Sequence, residues 1–112
     1  MSNKPKVILV SAACLTILAC VALRSIRVRS YEAANRCISN LRMIDAGKGG
    51  WADKYHKGTN DVPTLQDLQP ILLPGRKDEP LVFMCPKGGT YTIGPVGEAP
   101  RCSIGGPSHT LP

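Results

Sequence analysis

Hydrophobic residues form one continuous run near the N-terminus and then recur at helical spacing through the middle of the chain. The run from Val7 to Leu23 has 17 residues and no charge, which is the lower limit for a helix that crosses a bilayer. Lys4 and Lys6 precede it, as basic residues precede the apolar part of a signal sequence. The pattern predicts a signal or anchor segment with a basic flank over residues 1–29 and one domain over residues 30–112.

The fate of this segment is open at the level of sequence: an uncleaved anchor, a cleaved signal peptide or a lipoprotein signal. Ile17-Leu18-Ala19 before Cys20 resembles a bacterial lipobox, which makes Cys20 a candidate lipidation site. The simpler interpretation of Cys20 is a small apolar residue in a membrane helix. The segment thus predicts membrane attachment, either through the helix or through a lipid on Cys20.

A helical stripe follows the apolar run. Between Tyr31 and His56, apolar and small residues recur at steps of three, four or seven, as on one face of an amphipathic helix. Three glycines within residues 47–50 weaken the pattern, at a cost of roughly 0.8–1 kcal/mol each. We nevertheless expect helix through Trp51, with bending at the glycines. The predicted core stripe comprises Ala34, Cys37, Ile38, Leu41, Ile44, Trp51 and Tyr55.

After Gly58 the chain is rich in proline and glycine, which excludes another long helix. Thr64 and Asp67 have the spacing of a capping box, so a helix of about two turns should follow and end near Leu73. The tail over residues 105–112 is expected to be extended and loosely held. Short strands are predicted at Leu81–Met84, Thr90–Ile93 and Arg101–Ile104. The resulting fold class is α+β, with a long N-terminal helix packed on a small, short-stranded C-terminal sheet.

The net charge of +6 comes from the neighbourhood of the apolar run. Residues 1–42 contain seven basic residues against Glu32 alone, whereas residues 43–112 contain seven of each sign. Basic residues beside an apolar run are attracted to anionic headgroups. Aromatic residues are few and do not alternate with the basic ones, so no nucleic-acid partner is expected.

Two features of the sequence predict opposite orientations for the domain over residues 30–112, which is called the body below. The positive-inside rule places Arg24, Arg27 and Arg29 in the cytoplasm. Cysteines in a small domain favour an oxidising compartment instead. We expect an extracytoplasmic, periplasmic body, in agreement with the family resemblance described below.

Cys85 and Cys102 are predicted to form a disulfide. Sixteen residues separate them, and closing such a loop contributes about 3 kcal/mol in the chain-entropy model. Pairings of Cys37 with either of them remain open. Cys37, Cys85, Cys102 and His109 also have the side chains of a zinc site, but their spacing matches no motif and no CxxC occurs. We therefore predict no metal ligand, no cofactor and no small-molecule substrate.

Catalytic residues are not predicted either. His56 and His109 are the only histidines, and no local motif pairs either of them with a nucleophile. His56 lies at the expected end of a helix, where a solvated or capping histidine is common. We expect a protein without enzymatic activity.

Three separated motifs resemble one family. Asn35 to Ala52 resembles the helix pattern NxCIxNLRxIDxAKxxWA, Pro63 to Leu72 the segment PTxxDLxPYL, and Cys85 to Pro112 the ending CPxGGTYTIGxVGxxPxCSIxGHxLP. These are patterns of type IV pilin-like proteins and type II secretion pseudopilins, in a subgroup typical of Planctomycetes and Verrucomicrobia. The resemblance covers about residues 22–112 and implies a pilin-like fold.

The resemblance also implies a function. It predicts a membrane-anchored structural component or relative of a type II secretion or type IV pilus system, with other pilin-like or secretion-system subunits as partners. Residues 1–20 lack the glycine, phenylalanine and glutamate of the prepilin processing motif, so the resemblance applies to the body and not to the anchor. The alternative is a stand-alone periplasmic lipoprotein that uses a pilin-like head as a binding module.

Overall fold

The computed structural model describes residues 4–112, with side chains from residue 11 onward. Residues 1–3, the beginning of the predicted segment 1–29, lie outside the described residues. The described chain divides into two compact units, one that ends at residue 32 and one over residues 33–112. The elements are helix α1 (Lys4–Tyr55), helix α2 (Leu65–Leu72), strand β1 (Tyr91–Thr92), strand β2 (Arg101–Cys102) and a 3-10 turn (Pro107–His109). A long N-terminal helix, a short helix and a two-stranded antiparallel sheet confirm the α+β layout.

The first unit contains the N-terminal part of α1. Every described side chain from residue 11 to residue 32 is exposed. The exposed residues include large apolar ones such as Leu15, Leu18 and Val21. By length and composition, this helix can cross a membrane or serve as a signal anchor.

The second unit has a core in two clusters, both built on the C-terminal part of α1. One cluster contains Cys37 and Leu41 with Cys85 and Cys102. The other cluster contains Ile44 and Trp51 with Leu68 of α2. Tyr91 packs against both clusters and so connects them.

The predicted core stripe agrees with the burial along α1 except at its last residue. Ala34 and Ile38 are half-buried, and the other members as far as Trp51 are buried. Tyr55 is wrong, because its side chain is 46% exposed. It is the last residue of α1, and the Lys54 ammonium lies 5.6 Å from the centroid of its ring.

The glycines that weaken the helical pattern lie where α2 approaches α1, and α1 remains helical through them. A Cβ on Gly50 would lie 2.8 Å from Cγ2 of Ile71, and one on Gly47 would lie 3.1 Å from Cδ1 of Leu72. Gly49 has no such neighbour within 4 Å. Two of the three glycines therefore permit a close approach of α2, which offsets their low helix propensity.

The predicted capping box at the start of α2 is present. Asp67 accepts a hydrogen bond of 2.8 Å from the Thr64 backbone N–H, and the Asp67 backbone N–H donates one of 3.2 Å to the Thr64 hydroxyl. The helix then runs to Leu72, one residue short of the expected end. Leu68 is its buried residue.

The predicted strand at Leu81–Met84 is wrong. The segment belongs to no sheet, although its side chains alternate, with Leu81 and Phe83 half-buried and Val82 and Met84 exposed. The Met84 carbonyl accepts a hydrogen bond of 3.1 Å from the Asn40 amide nitrogen of α1 instead of one from a neighbouring strand. Leu81 and Phe83 pack against the cluster of Ile44, Trp51 and Leu68, so side-chain contacts and not a ladder hold the segment.

The C-terminal region is more ordered than expected. Strands β1 and β2 pair antiparallel, with Tyr91 opposite Cys102 and Thr92 opposite Arg101. The tail then forms the 3-10 turn, in which the His109 N–H bonds the Gly106 carbonyl at 3.1 Å. The expectation of a loosely held tail is wrong, because the His109 side chain is buried.

Candidate metal centre

Four buried side chains with metal-binding atoms meet in the second unit. They are Cys37, Cys85, Cys102 and His109, and their potential ligand atoms all lie within 4.8 Å of one another. The residues come from α1, the turn after Met84, strand β2 and the 3-10 turn. These four side chains are called the Cys3His cluster below.

Local structure fixes the position of each member. Cys37 lies on the core stripe of α1 and is fully buried. Cys85 opens a turn in which the Gly88 N–H donates to the Cys85 carbonyl at 2.9 Å, with Gly88 at φ 84°. The positive φ at this position favours glycine, as the sequence provides. The pairing of β2 with β1 places Cys102 opposite Tyr91.

His109 completes the Cys3His cluster through its Nδ1 atom. This nitrogen lies 3.5 Å from Sγ of Cys85 and 3.8 Å from Sγ of Cys102. The 3-10 turn brings the ring to this position, and the side chain is 7% exposed. The imidazole therefore faces the thiols and not the solvent.

The pKa values of the Cys37 and Cys85 thiols are shifted in opposite directions. Burial raises the pKa of Cys37 to about 12, although a hydrogen bond from the Tyr91 hydroxyl lowers it. Burial also raises the pKa of Cys85, but the backbone N–H groups of Lys87 and Gly89 together with the thiols of Cys37 and Cys102 hold it below its ordinary value. Donors aimed at a sulfur stabilise its thiolate form.

A second set of hydrogen bonds orients Tyr91. The Asn40 amide nitrogen donates to the Tyr91 hydroxyl oxygen at 3.1 Å. Burial raises the pKa of Tyr91 well above its ordinary value, so its hydroxyl keeps its proton. Because the oxygen accepts from Asn40, its proton is free to point at Cys37.

Gly89 allows the thiols and the sheet to approach each other. A Cβ at this position would lie 2.8 Å from Sγ of Cys102 and 3.1 Å from Cγ1 of Ile104. Real Cβ atoms do not approach sulfur this closely. The second glycine of Gly88-Gly89 is therefore required by space, whereas the first is required by its φ angle.

The predicted disulfide and the predicted lipidation concern cysteines that are free thiols in this structure. Cys85 and Cys102 are both buried free thiols here, and Cys37 lies beside them. The Cys85–Cys102 disulfide therefore stays a prediction, as do its two competitors. Cys20 is exposed on α1, like Cys14, and its lipidation also stays a prediction.

The sequence favours a disulfide over a metal site, because the spacing of the four residues matches no known metal-binding motif. Only their residue types indicate a metal site. Only the fold brings His109 against the thiols. Lys48 is a second residue that sequence reasoning missed, since it is buried within a glycine-rich stretch that showed no apolar signal.

No family model, curated protein or solved structure matches the chain. The chemistry open to the site follows from its donor set. Three thiols and an imidazole within this distance of one another can bind one metal ion, or two of the thiols can form a disulfide.

Proposed function

We propose that the protein is a membrane-anchored structural component, a pseudopilin-like relative of type II secretion or type IV pilus subunits, with its body in the periplasm. The observation that carries the proposal is the extent of α1, which includes both the exposed apolar segment and the stripe from Cys37 to Trp51 on which the body packs. This is the arrangement that the resemblance to pilin-like proteins implies. Other pilin-like or secretion-system subunits would be the partners.

The charge distribution supports attachment to a membrane. Arg24, Arg27 and Arg29 follow the apolar run directly and are all exposed. Basic residues beside an apolar run are attracted to anionic headgroups. The arginines would therefore reinforce an apolar helix that is marginal in length.

A second candidate is a periplasmic lipoprotein that uses the same body as a binding module. The observation that favours it is Cys20, which is exposed on α1 directly after Ala19. In that case cleavage before Cys20 would remove most of the apolar run, and a lipid would replace it as the anchor.

Membrane fractionation tests the anchor itself. We expect the full-length chain to remain with the membranes after an alkaline wash, and a shortened chain that begins at Ser30 to appear in the soluble fraction. Recovery of the full-length chain at full mass in the soluble fraction alone would overturn the proposal.

Variants of the two anchor cysteines separate the two candidates. For the pseudopilin-like protein, Cys20→Ser and its control Cys14→Ser should both remain in the membrane, with an intact mass that carries no lipid. Amine-reactive cross-linking in the membrane should give oligomers or adducts with partner subunits. A lipid-modified mass that disappears only in Cys20→Ser, with monomers after cross-linking, would establish the lipoprotein instead.

A further inference from the structure

We propose that Cys37, Cys85, Cys102 and His109 form a structural Zn²⁺ site that closes the body of this protein. The ligands would be three cysteine sulfurs and Nδ1 of the histidine. This site is independent of the membrane and secretion role, since it concerns residues 33–112 alone.

The distances in the Cys3His cluster match a tetrahedral zinc site. Bonds of about 2.3 Å to sulfur and 2.0–2.1 Å to nitrogen imply sulfur–nitrogen separations of about 3.6 Å and sulfur–sulfur separations of about 3.8 Å. Nδ1 of His109 lies 3.5 Å from Sγ of Cys85 and 3.8 Å from Sγ of Cys102. All the ligand atoms lie within 4.8 Å of one another, so small side-chain adjustments suffice to surround one ion.

The composition and burial of the cluster indicate a structural ion. Three thiolates and one imidazole fill the four positions of a tetrahedral zinc ion, which leaves no position for water or a substrate. The side chains of all four residues are buried, with exposed fractions from 0% to 7%. A closed and buried site of this kind stabilises a fold and does not catalyse a reaction.

A hydrogen-bonded pair of side chains, Tyr91 and Asn40, lies beside the Cys3His cluster. Tyr91 packs against the buried residues that include Cys37, Cys85 and Cys102, and its hydroxyl oxygen accepts a hydrogen bond of 3.1 Å from the Asn40 amide nitrogen. Polar contacts around a metal site orient its ligands.

A zinc ion would bind all four side chains of the Cys3His cluster, whereas a disulfide would involve two of them. A Cys85–Cys102 bond would leave the Cys37 thiol and the buried His109 ring without a role. Zinc binding changes no oxidation state, because each thiol releases its proton to solvent as its sulfur forms a bond to Zn²⁺, and neutral His109 donates a nitrogen lone pair. Thiolate and imidazole ligands in a tetrahedral arrangement favour Zn²⁺ among common divalent ions.

The ion would hold together segments of the chain that have little regular secondary structure. It would join α1 to three elements of the proline- and glycine-rich region that follows Gly58. That region has one short α-helix, two strands of two residues each and the 3-10 turn. Bodies of this size commonly need a metal or disulfide to supplement a small core.

The test uses the full-length chain, isolated in detergent without added oxidant or reductant, and Zn²⁺ and Co²⁺ as probes. Native mass spectrometry should find one Zn²⁺ per chain. After exchange, Co²⁺ should show the intense visible bands of a tetrahedral thiolate complex, and chelation should lower the midpoint of thermal unfolding. A metal-free chain whose mass is lower by two hydrogens, with a Cys85–Cys102 peptide on non-reducing mapping, would overturn the proposal. So would an octahedral Co²⁺ spectrum.

Variants assign the ligands. Cys37→Ser, Cys85→Ser, Cys102→Ser and His109→Ala should each weaken zinc binding at least about tenfold, whereas the exposed thiol variant Cys14→Ser should bind like the wild type. His109→Cys keeps four ligands, so it should retain zinc and strengthen the sulfur-to-cobalt absorption. Zinc retention equal to wild type in all four ligand variants would overturn the proposal.

Discussion

The Lys48 ammonium donates a hydrogen bond of 2.8 Å to the backbone carbonyl oxygen of Ile93, from a side chain with no exposed surface. The same nitrogen also bonds the carbonyl of Glu98. Between these two acceptors lie Gly94, at φ 68°, and a turn in which the Glu98 N–H donates to the Pro95 carbonyl at 3.1 Å. One buried lysine of α1 therefore holds both ends of a loop that contains no regular secondary structure.

Replacement of this lysine should destabilise the body. Lys48→Met keeps the length of the side chain but removes the donor shared by the Ile93 and Glu98 carbonyls. We expect a loss of about 1–3 kcal/mol, the usual cost of leaving buried polar groups unsatisfied. Chemical denaturation of the wild type and the variant measures it. Lys54→Met, on the exposed side of the same helix, is the control and should change stability by less than about 0.5 kcal/mol.

Lys48 should also make stability depend on alkaline pH. Burial lowers its pKa from the ordinary value of 10.5, and this outweighs the carboxylates of Asp45 and Glu98, which raise it. The unfolded chain therefore keeps this proton to higher pH than the folded chain does. Stability should rise between the lowered folded-state pKa and the ordinary value. Denaturation at several alkaline pH values should show this component in wild type and Lys54→Met but not in Lys48→Met; identical pH profiles in all three proteins would contradict the assignment.

Two adjacent glycines of α1 should respond in opposite directions to alanine. Gly50→Ala places a Cβ 2.8 Å from Cγ2 of Ile71, so α2 must shift, and we expect a loss of about 1–3 kcal/mol from overpacking. Gly49→Ala meets no atom within 4 Å and should gain about 0.8–1 kcal/mol from helix propensity. Thermal unfolding of the two variants provides the comparison. Equal effects would mean that α2 does not pack closely at Gly50.

Gly89 should control the affinity of the proposed zinc site without supplying a ligand. In Gly89→Ala, the new Cβ would lie 2.8 Å from Sγ of Cys102 and 3.1 Å from Cγ1 of Ile104, so the Cys102 sulfur must shift. We expect zinc affinity to fall about 10- to 100-fold, as for other outer contacts of metal ligands. Competition with a chromophoric chelator measures this, with Gly49→Ala as the control. An unchanged affinity in Gly89→Ala would show that the cluster tolerates the added methyl group.

The capping box of α2 should be worth a measurable part of the stability. Thr64→Ala removes the acceptor for the Asp67 N–H and should cost about 0.5–2 kcal/mol. Bonds from the Thr64 N–H and hydroxyl lower the pKa of Asp67, so the contribution of its carboxylate is present at neutral pH and is lost as pH falls through that lowered pKa. Urea titration at neutral and acidic pH measures both effects. Thr110→Ala, at an exposed position of the tail, is the control and should show neither.

The sequence by itself determined the local features of this protein. The apolar run, the core stripe of α1 and the Thr64–Asp67 cap are patterns whose members lie within a few turns of one another, so spacing alone reveals them. The α+β layout followed from the change to proline- and glycine-rich sequence after Gly58. The stripe failed at Tyr55, because periodicity does not show where the covering chain ends.

Only the tertiary structure decided which distant residues meet. Leu81–Met84 had the composition of a strand, but a strand needs a partner, and Asn40 takes the Met84 carbonyl instead. Lys48 is buried because two carbonyls of a remote turn solvate its charge. His109 reaches the three thiols through a 3-10 turn in a tail with no periodic signal. These contacts depend on chain folding over long separations, and local spacing carries no information about them.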